Sequence, residues 1–242
     1  AFAAGGETIE VLLDIDNGMH RSGIAPGEKA AEVYRLLADL PGLKPGGFHV
    51  YDGHAREADL QERIKHAEAD FVPVEQLRSR LEAAGLIVPR IVAGGTPTFP
   101  VHARHADREC SPGTCVFWDE NYAGKFPDLE FLPAALLLTR VISKPGDNRL
   151  CLDLGYKAIS PDNPEPRVVL LEPSDAKQVV HSEEHLAVET SHAAEYAVGD
   201  ALYGVPYHVC PTVALHREAV IIENGRATQR WKVAARDRML TV

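Results

Sequence analysis

The first 130 or so residues alternate short apolar runs with longer stretches whose apolar positions recur every three to four residues. The runs are IEVLLDID at 9–16, GGFHVYDG at 46–53, PRIVAGGT at 89–96 and GTCVFWD at 113–119, each closing in Gly, Asp or Thr. Three of them read as strands of a parallel sheet. Between them, GEKAAEVYRLLADL and EADLQERIKHAEADFVPVEQLRSRLEAAG carry the helical period and are closed at Gly42 and Gly85, as glycine closes helices. Strand and helix in alternation specify β-α-β units, and therefore a parallel sheet, open or closed into a barrel. The segment after residue 96 is too short for another long helix.

From about residue 133 the texture changes. LLLTRVISKPG, NRLCLDLGYKAIS, PRVVLLE, HLAVET, ALYGVPYHVCPTVAL, EAVIIENG and QRWKVAAR place strand-like runs at short spacing, with turn residues between them, including Asn-Gly at 224–225. That pattern predicts an antiparallel β domain over 131–242, following a β/α part over 1–130. There is no internal repeat and no low-complexity linker.

Composition narrows the class without naming a chemistry. With 242 residues, 45% hydrophobic and 25% charged, the chain has the make-up of a globular protein with a sizeable core. Its longest apolar runs, such as AALLL at 134–138, fall far short of the roughly 20 residues of a membrane-spanning helix. A formal charge of −10 argues against nucleic acid or an anionic membrane as the main partner and favours a small molecule. Cys110, Cys115, Cys151 and Cys210 lack framework spacing and read as reduced thiols of a cytoplasmic protein.

In a parallel α/β architecture the loops after the strands' C-terminal ends carry the chemistry. Here those loops are DNGMHRSG (16–23) with Arg21, YDGH (51–54) with Tyr51 and His54, AGGTPT (93–98) and CSPGT (110–114). Gly94, Gly95 and Thr96, together with Gly113 and Thr114, offer backbone N–H groups and hydroxyls suited to a phosphate. Further along, His208 and Cys210 sit two apart in VPYHVCPTVAL, where a strand would put both side chains on one face. Imidazole and thiolate together make half a zinc site, and two ligands alone leave positions open for water or substrate. The alternative for the pair is a buried cysteine beside a histidine hydrogen-bonded to a carbonyl.

The order DNGMHRSG, FHVYDGH, GGTPT, SPGTCVFWD, LCLDLGYKAIS, HSEEHL and PYHVCPTVAL resembles the D-threonine aldolase and D-serine dehydratase family, pyridoxal-phosphate enzymes of the alanine-racemase fold. The resemblance implies the second half of a (β/α)8 TIM barrel, about strands five to eight, followed by a C-terminal β domain. It implies that Arg21 bonds the cofactor's phenolic oxygen, and that Gly94, Gly95, Thr96, Gly113 and Thr114 surround the phosphate of pyridoxal 5'-phosphate. His208 and Cys210 would bind a divalent metal, zinc or manganese, with Tyr51 and His54 near ring or substrate and His54 the candidate base. The implied reaction is aldol cleavage of a D-3-hydroxy amino acid such as D-threonine by a homodimer. A dehydratase acting at the same site is the alternative.

The lysine that holds the cofactor covalently in that family belongs to the first barrel strand, and IEVLLDID corresponds to the fifth. The expectation is a fragment, or a half-barrel subunit completed by another chain, that does not catalyse the reaction alone. Lys157 reads as a surface residue rather than a substitute. His181 and His185 in HSEEHL, four apart, read as a motif shaping the domain rather than a metal site, and His102, His105 and His216 as residues on exposed loops or at helix ends. A barrel hydrolase using His54 and His208 would leave the two glycine loops idle.

Overall fold

The computed structural model describes residues 2–240. The chain divides into two compact units, one running to Cys115 and the other from Val116.

The first unit is built on four parallel strands, β1 (Ile9–Ile15), β2 (Leu43–Val50), β3 (Ile91–Ala93) and β4 (Arg108–Cys110), adjacent in that order. The connections are α1 (Glu28–Asp39), α2 (Leu60–Ala83) and the four-residue α3 (Phe99–His102). Alternate strand residues Ile15, Phe48, Val50, Ile91 and Ala93 are buried. They share a core with Ala30, Ala31 and Tyr34 of α1 and Phe71, Val74, Leu77 and Leu81 of α2. Burying each of the larger side chains contributes about 1.5–3 kcal/mol, so this layer holds the helices on one face of the sheet. The α2 helix starts at Asp59, whose carboxylate accepts the Glu62 N–H at 2.9 Å, and ends before Gly85 at φ +81°.

Gly46 and Gly47 explain how β1 and β2 stay in register. The pairing skips a residue between Val11 and Leu12, and Gly47, at φ +110°, lies so close to β3 that a Cβ there would sit 1.9 Å from the Arg90 carbonyl oxygen. Only glycine fits this bulge. Both end strands, β1 and β4, have one strand neighbour each among the described residues.

The fourth strand lies outside the four apolar runs. GTCVFWD forms a 3-10 turn at Thr114–Val116, and Asp119 caps the next helix, α4 (Glu120–Lys125). The strand lies instead at Arg108–Cys110, where Arg108 is buried by its ionic partners and no apolar run marks the position.

The second unit carries a six-stranded antiparallel sheet in the order β7-β10-β5-β6-β9-β8. Its strands are β5 (Leu137–Gly146), β6 (Arg149–Leu152), β7 (Val168–Leu170), β8 (Lys177–His181), β9 (Leu186–Glu189) and β10 (Ala201–Pro206). Val141, Leu150, Leu152, Leu154, Ile159, Leu186 and Val188 form its core. A separate cluster joins Trp118, Phe126 and Leu129. β8 was absent from the sequence pattern because its residues are mostly exposed, with no buried alternation.

The segment VCPTVAL is helical: α5 (Val209–Leu215) follows β10, with His208 as its extended N-cap residue. Proline in a first helical turn gives up a donor that has no intrahelical partner, so Pro211 is compatible with a helix there. The chain ends in a hairpin, β11 (Glu218–Glu223) with β12 (Arg226–Lys232), turned by Asn224 and Gly225, both at positive φ. No helix among the described residues is long and apolar enough to cross a membrane.

Candidate active site

The C-terminal ends of the parallel strands gather most of the first unit's chemistry-bearing loops. In the loop after β1, the Asp16 carboxylate accepts the N–H groups of Gly18 at 3.1 Å and His20 at 2.9 Å, together with the His20 ring at 2.9 Å. The backbone N–H and then the ring of His20 hold the Asp16 carboxyl at about 2, below the usual carboxylate range. The tightened loop carries Arg21, whose guanidinium lies 4.3 Å from the Tyr51 ring centroid in a cation–π contact. Tyr51 also packs against Gly95, where a Cβ would approach its ring to 2.9 Å.

The two glycine loops meet. Thr96 Oγ1 accepts the N–H groups of Gly113 (3.2 Å) and Thr114 (3.0 Å), and Ser111 Oγ donates to the Gly94 carbonyl at 2.8 Å. Behind them lies a carboxylate that sequence reasoning passed over. Asp52, 1% exposed, accepts the Thr98 hydroxyl at 2.6 Å, the Gly95 N–H at 3.2 Å and the His102 Nε2–H at 2.6 Å. Arg108 donates to His102 Nδ1 at 3.2 Å, which fixes the tautomer, and to Glu75 at 2.6 Å. His102 is therefore no exposed loop residue. It is fully buried at the end of α3, because a buried carboxylate holding the glycine loop needs a buried donor.

His54 follows β2. Its Nε2 lies 2.6 Å from Asp70 Oδ2 on α2, and its Nδ1 is buried with no hydrogen-bond partner among the described residues. The ring sits over Gly18, where a Cβ would come within 2.5 Å of Nε2. His66, one helical turn before Asp70, reaches the same Oδ2 at 3.1 Å and places its Nδ1 2.6 Å from Glu57. The Glu57 hydrogen bond, aided by the Asp70 charge, raises the His66 pKa against the opposing effect of burial. The spacing His-x3-Asp in IKHAEAD puts the two on one helix face but carries no sign that His54 joins them.

In the second unit, His208 and Cys210 are brought together by a strand end and a first helical turn, not by one strand. Their side chains hydrogen-bond, which together with Asp162 raises the His208 pKa to about 9 against the effect of burial. Asp162 Oδ2 lies 2.5 Å from His208 Nδ1. Burial pushes the Asp162 carboxyl up, but hydrogen bonds from Ser160 and His208 outweigh it and leave the pKa lowered.

The His208–Cys210 segment is tied down at three points. The buried Asp119 carboxylate accepts the Val209 N–H at 3.1 Å while capping α4 through the Tyr122 N–H at 3.0 Å. Burial raises its pKa despite those two bonds. Thr212 donates to the His208 carbonyl at 2.7 Å and accepts the Ser160 N–H at 3.2 Å. His216 Nε2 lies 2.8 Å from the Ala158 carbonyl oxygen.

Cys210 is exposed, unlike the buried cysteine of the alternative reading, and none of the four cysteines is in a disulfide. Lys157 is exposed and paired with Glu183 and Glu184. His181 ends β8 with its Nε2 3.1 Å from the Leu154 carbonyl oxygen, so the HSEEHL spacing is that of a hairpin, not of a helix face.

The donor set fits the groups that the motifs imply. The buried side-chain amide of Asn17, 8% exposed in the loop that carries Arg21, has no partner among the described residues on either its oxygen or its nitrogen. It is polar equipment suited to a ligand. A cross-linked pair of glycine loops suits a phosphate, and imidazole beside thiol suits a borderline-soft divalent metal.

Each half of the chain matches a known domain family. Residues 1–121 match the family model described as the alanine racemase N-terminal domain, and residues 134–222 match the putative serine dehydratase domain. A 3-hydroxy-D-aspartate aldolase of Paracoccus denitrificans is 29% identical, covering 96% of this chain and 61% of its own length. A D-threonine aldolase of an Arthrobacter species is 27% identical, covering 98% and 63%. The crystal structure of D-threonine aldolase from Filomicrobium marinum superposes with a TM-score of 0.89 at 27% identity, over 96% of this chain and 64% of that one. The chain thus spans about three-fifths of the length of these relatives. It belongs to the alanine racemase N-terminal domain family, and a match to the serine dehydratase domain follows in its second half.

Proposed function

We propose that the chain provides the phosphate-binding and metal-binding parts of a pyridoxal-phosphate lyase that cleaves D-3-hydroxy amino acids, in the manner of a D-threonine aldolase. The observation that supports this most is the joining of the two glycine loops through Thr96, in a chain whose relatives carry aldolase names over nearly its whole extent. In the first unit, the Gly94–Thr96 and Gly113–Thr114 loops would hold the cofactor's phosphate and Arg21 its phenolic oxygen. Tyr51 would keep the Arg21 guanidinium in place. In the second unit, His208 and Cys210 would hold a zinc or manganese ion, with Asp162 orienting the imidazole.

When bound, the cofactor supplies an electron sink for the pair left on Cα. The metal supplies positive charge that favours an ionised hydroxyl. His54, held through Nε2 by Asp70, would take the β-hydroxyl proton at Nδ1, its nitrogen without a partner. As that proton leaves, the C–O bond becomes a carbonyl and the Cα–Cβ bond breaks, releasing an aldehyde; the pair left on Cα then takes up a proton, and glycine results. The half-barrel assignment for the first unit is part of the same proposal, supported by its four parallel strands. So is a reducing compartment, which suits four cysteines that form no disulfide.

Binding to the purified chain tests the reading. Pyridoxal 5'-phosphate should bind at least tenfold more tightly than pyridoxal, and Thr96→Ala should remove most of that difference. Equal affinity for the two compounds would refute the phosphate assignment. With D-threonine and a polypeptide that includes this chain and turns over, glycine plus acetaldehyde marks the aldolase and 2-oxobutanoate plus ammonia the dehydratase.

A further inference from the structure

His54, His66 and Asp70 place three potential metal-ligand atoms within 4.8 Å of one another, the one such group of three among the described residues. Two imidazole nitrogens, His54 Nε2 and His66 Nε2, converge on a single carboxylate oxygen, Asp70 Oδ2, at 2.6 and 3.1 Å. His66 and Asp70 lie one turn apart on α2, so a rigid helix face presents two of the three. Two histidines with one carboxylate form a zinc donor set that leaves further positions open.

Three surrounding features favour a metal over a simple ion pair. Glu57 accepts from His66 Nδ1 at 2.6 Å, the outer carboxylate that fixes a ligating histidine with its Nε2 toward the metal. Gly18 leaves free the volume at His54 Nε2 that a Cβ would occupy. His54 Nδ1, buried without a partner among the described residues, is left to carry the ring's proton when a metal takes Nε2.

We propose that His54, His66 and Asp70 bind a divalent transition metal, zinc by preference, as an inhibitory site. Zinc would replace the protons that point from the two imidazoles toward Asp70. With the metal on Nε2, the neutral His54 ring must carry its proton on Nδ1. The nitrogen assigned above to receive the substrate's proton then has no lone pair to offer. The inhibitory consequence rests on the role proposed for His54, whereas the binding site does not.

The test is zinc binding to the purified chain, with zinc alone as the probe, by competition against a chromophoric chelator. Wild type should take up two zinc ions, His66→Ala one, Cys210→Ala one, and the double variant none. Glu57→Gln should weaken the second site about 10–100-fold without changing the first. Cobalt in place of zinc should show a thiolate charge-transfer band that survives in His66→Ala and disappears in Cys210→Ala, with far-UV circular dichroism confirming that each variant is folded. Two ions bound by folded His66→Ala, or a single wild-type ion lost in Cys210→Ala, would overturn the proposal. A single ion lost in His66→Ala and kept in Cys210→Ala would support the new site and refute the His208–Cys210 pair instead.

Discussion

Replacing Asp52 by asparagine removes a charge from a place where nothing can compensate. The carboxylate serves three donors: the Thr98 hydroxyl and the Gly95 N–H on one oxygen, and the His102 Nε2–H on the other. An amide keeps one oxygen and offers an NH2 in place of the second. Turned toward His102, that NH2 meets an N–H, and a change of tautomer is blocked because Arg108 already donates to Nδ1. Turned toward Thr98, it can be met by rotating the hydroxyl, but the Gly95 N–H then keeps only Thr98 as a partner, at 3.1 Å.

The cheaper orientation gives up the ionic character of one strong bond and most of a second bond, where a charge-assisted hydrogen bond is worth about 1.5–3 kcal/mol. The expected loss is about 2–3 kcal/mol, a fall of roughly 30- to 150-fold in the folded-to-unfolded ratio, since 1.4 kcal/mol is tenfold. Urea unfolding followed by far-UV circular dichroism reads this directly, because α1 and α2 make up most of the helix and both lie in the affected unit. Asp52→Ala, which leaves the buried His102 Nε2–H without an acceptor and the Gly95 N–H with Thr98 alone, should lose more, about 3–5 kcal/mol. Both variants should also weaken pyridoxal-phosphate binding, as the Gly95 loop loses its anchor. An Asp52→Asn protein within about 0.5 kcal/mol of wild type, the spread of an ordinary surface substitution, would refute the argument.

Three further outcomes follow from the same geometry. Asp119→Ala removes the α4 cap and strands the Val209 N–H between the two proposed metal ligands; it should cost about 2–4 kcal/mol in chemical denaturation and lower zinc affinity at His208 and Cys210. Gly18→Ala forces a Cβ to within 2.5 Å of His54 Nε2 at a backbone φ of +138°, so it should displace the ring and abolish zinc uptake at the His54 site, as read by the chelator assay. Asp16 has its pKa depressed to about 2 from 3.8, so its stabilising contribution is present above pH 4 and fades as pH falls toward 2. The stability difference between wild type and Asp16→Asn should shrink over that window, and a difference that stays constant would contradict the assignment.

Hydrophobic periodicity carried the framework of the fold. The α1 and α2 helices, the first three parallel strands and most of the antiparallel unit follow from patterns that are local and apolar, so they stand in the sequence as alternation and as glycine stops. β4 did not, because its buried residue is Arg108, held inside by Glu75, Glu68 and His102 rather than by an apolar run. α5 did not, because valine and threonine suit a strand as readily as a short helix, and Pro211 fits a strand's end as well as a first helical turn. What decides is Asp119, 90 residues away, accepting the Val209 N–H.

The glycine loops, Arg21, Tyr51, His54, His208 and Cys210 could be singled out from residue type and spacing, since the chemistry of a side chain is written in its letter. The groups that hold them could not: Asp52 behind Gly95, Asp70 and His66 beside His54, Asp162 beside His208, and Asp119 under Val209. Each of these carboxylates or imidazoles looks in the sequence like one of many solvated polar residues. Only the folded chain shows which of them is removed from water, and a polar group removed from water must find a partner, wherever along the chain that partner lies.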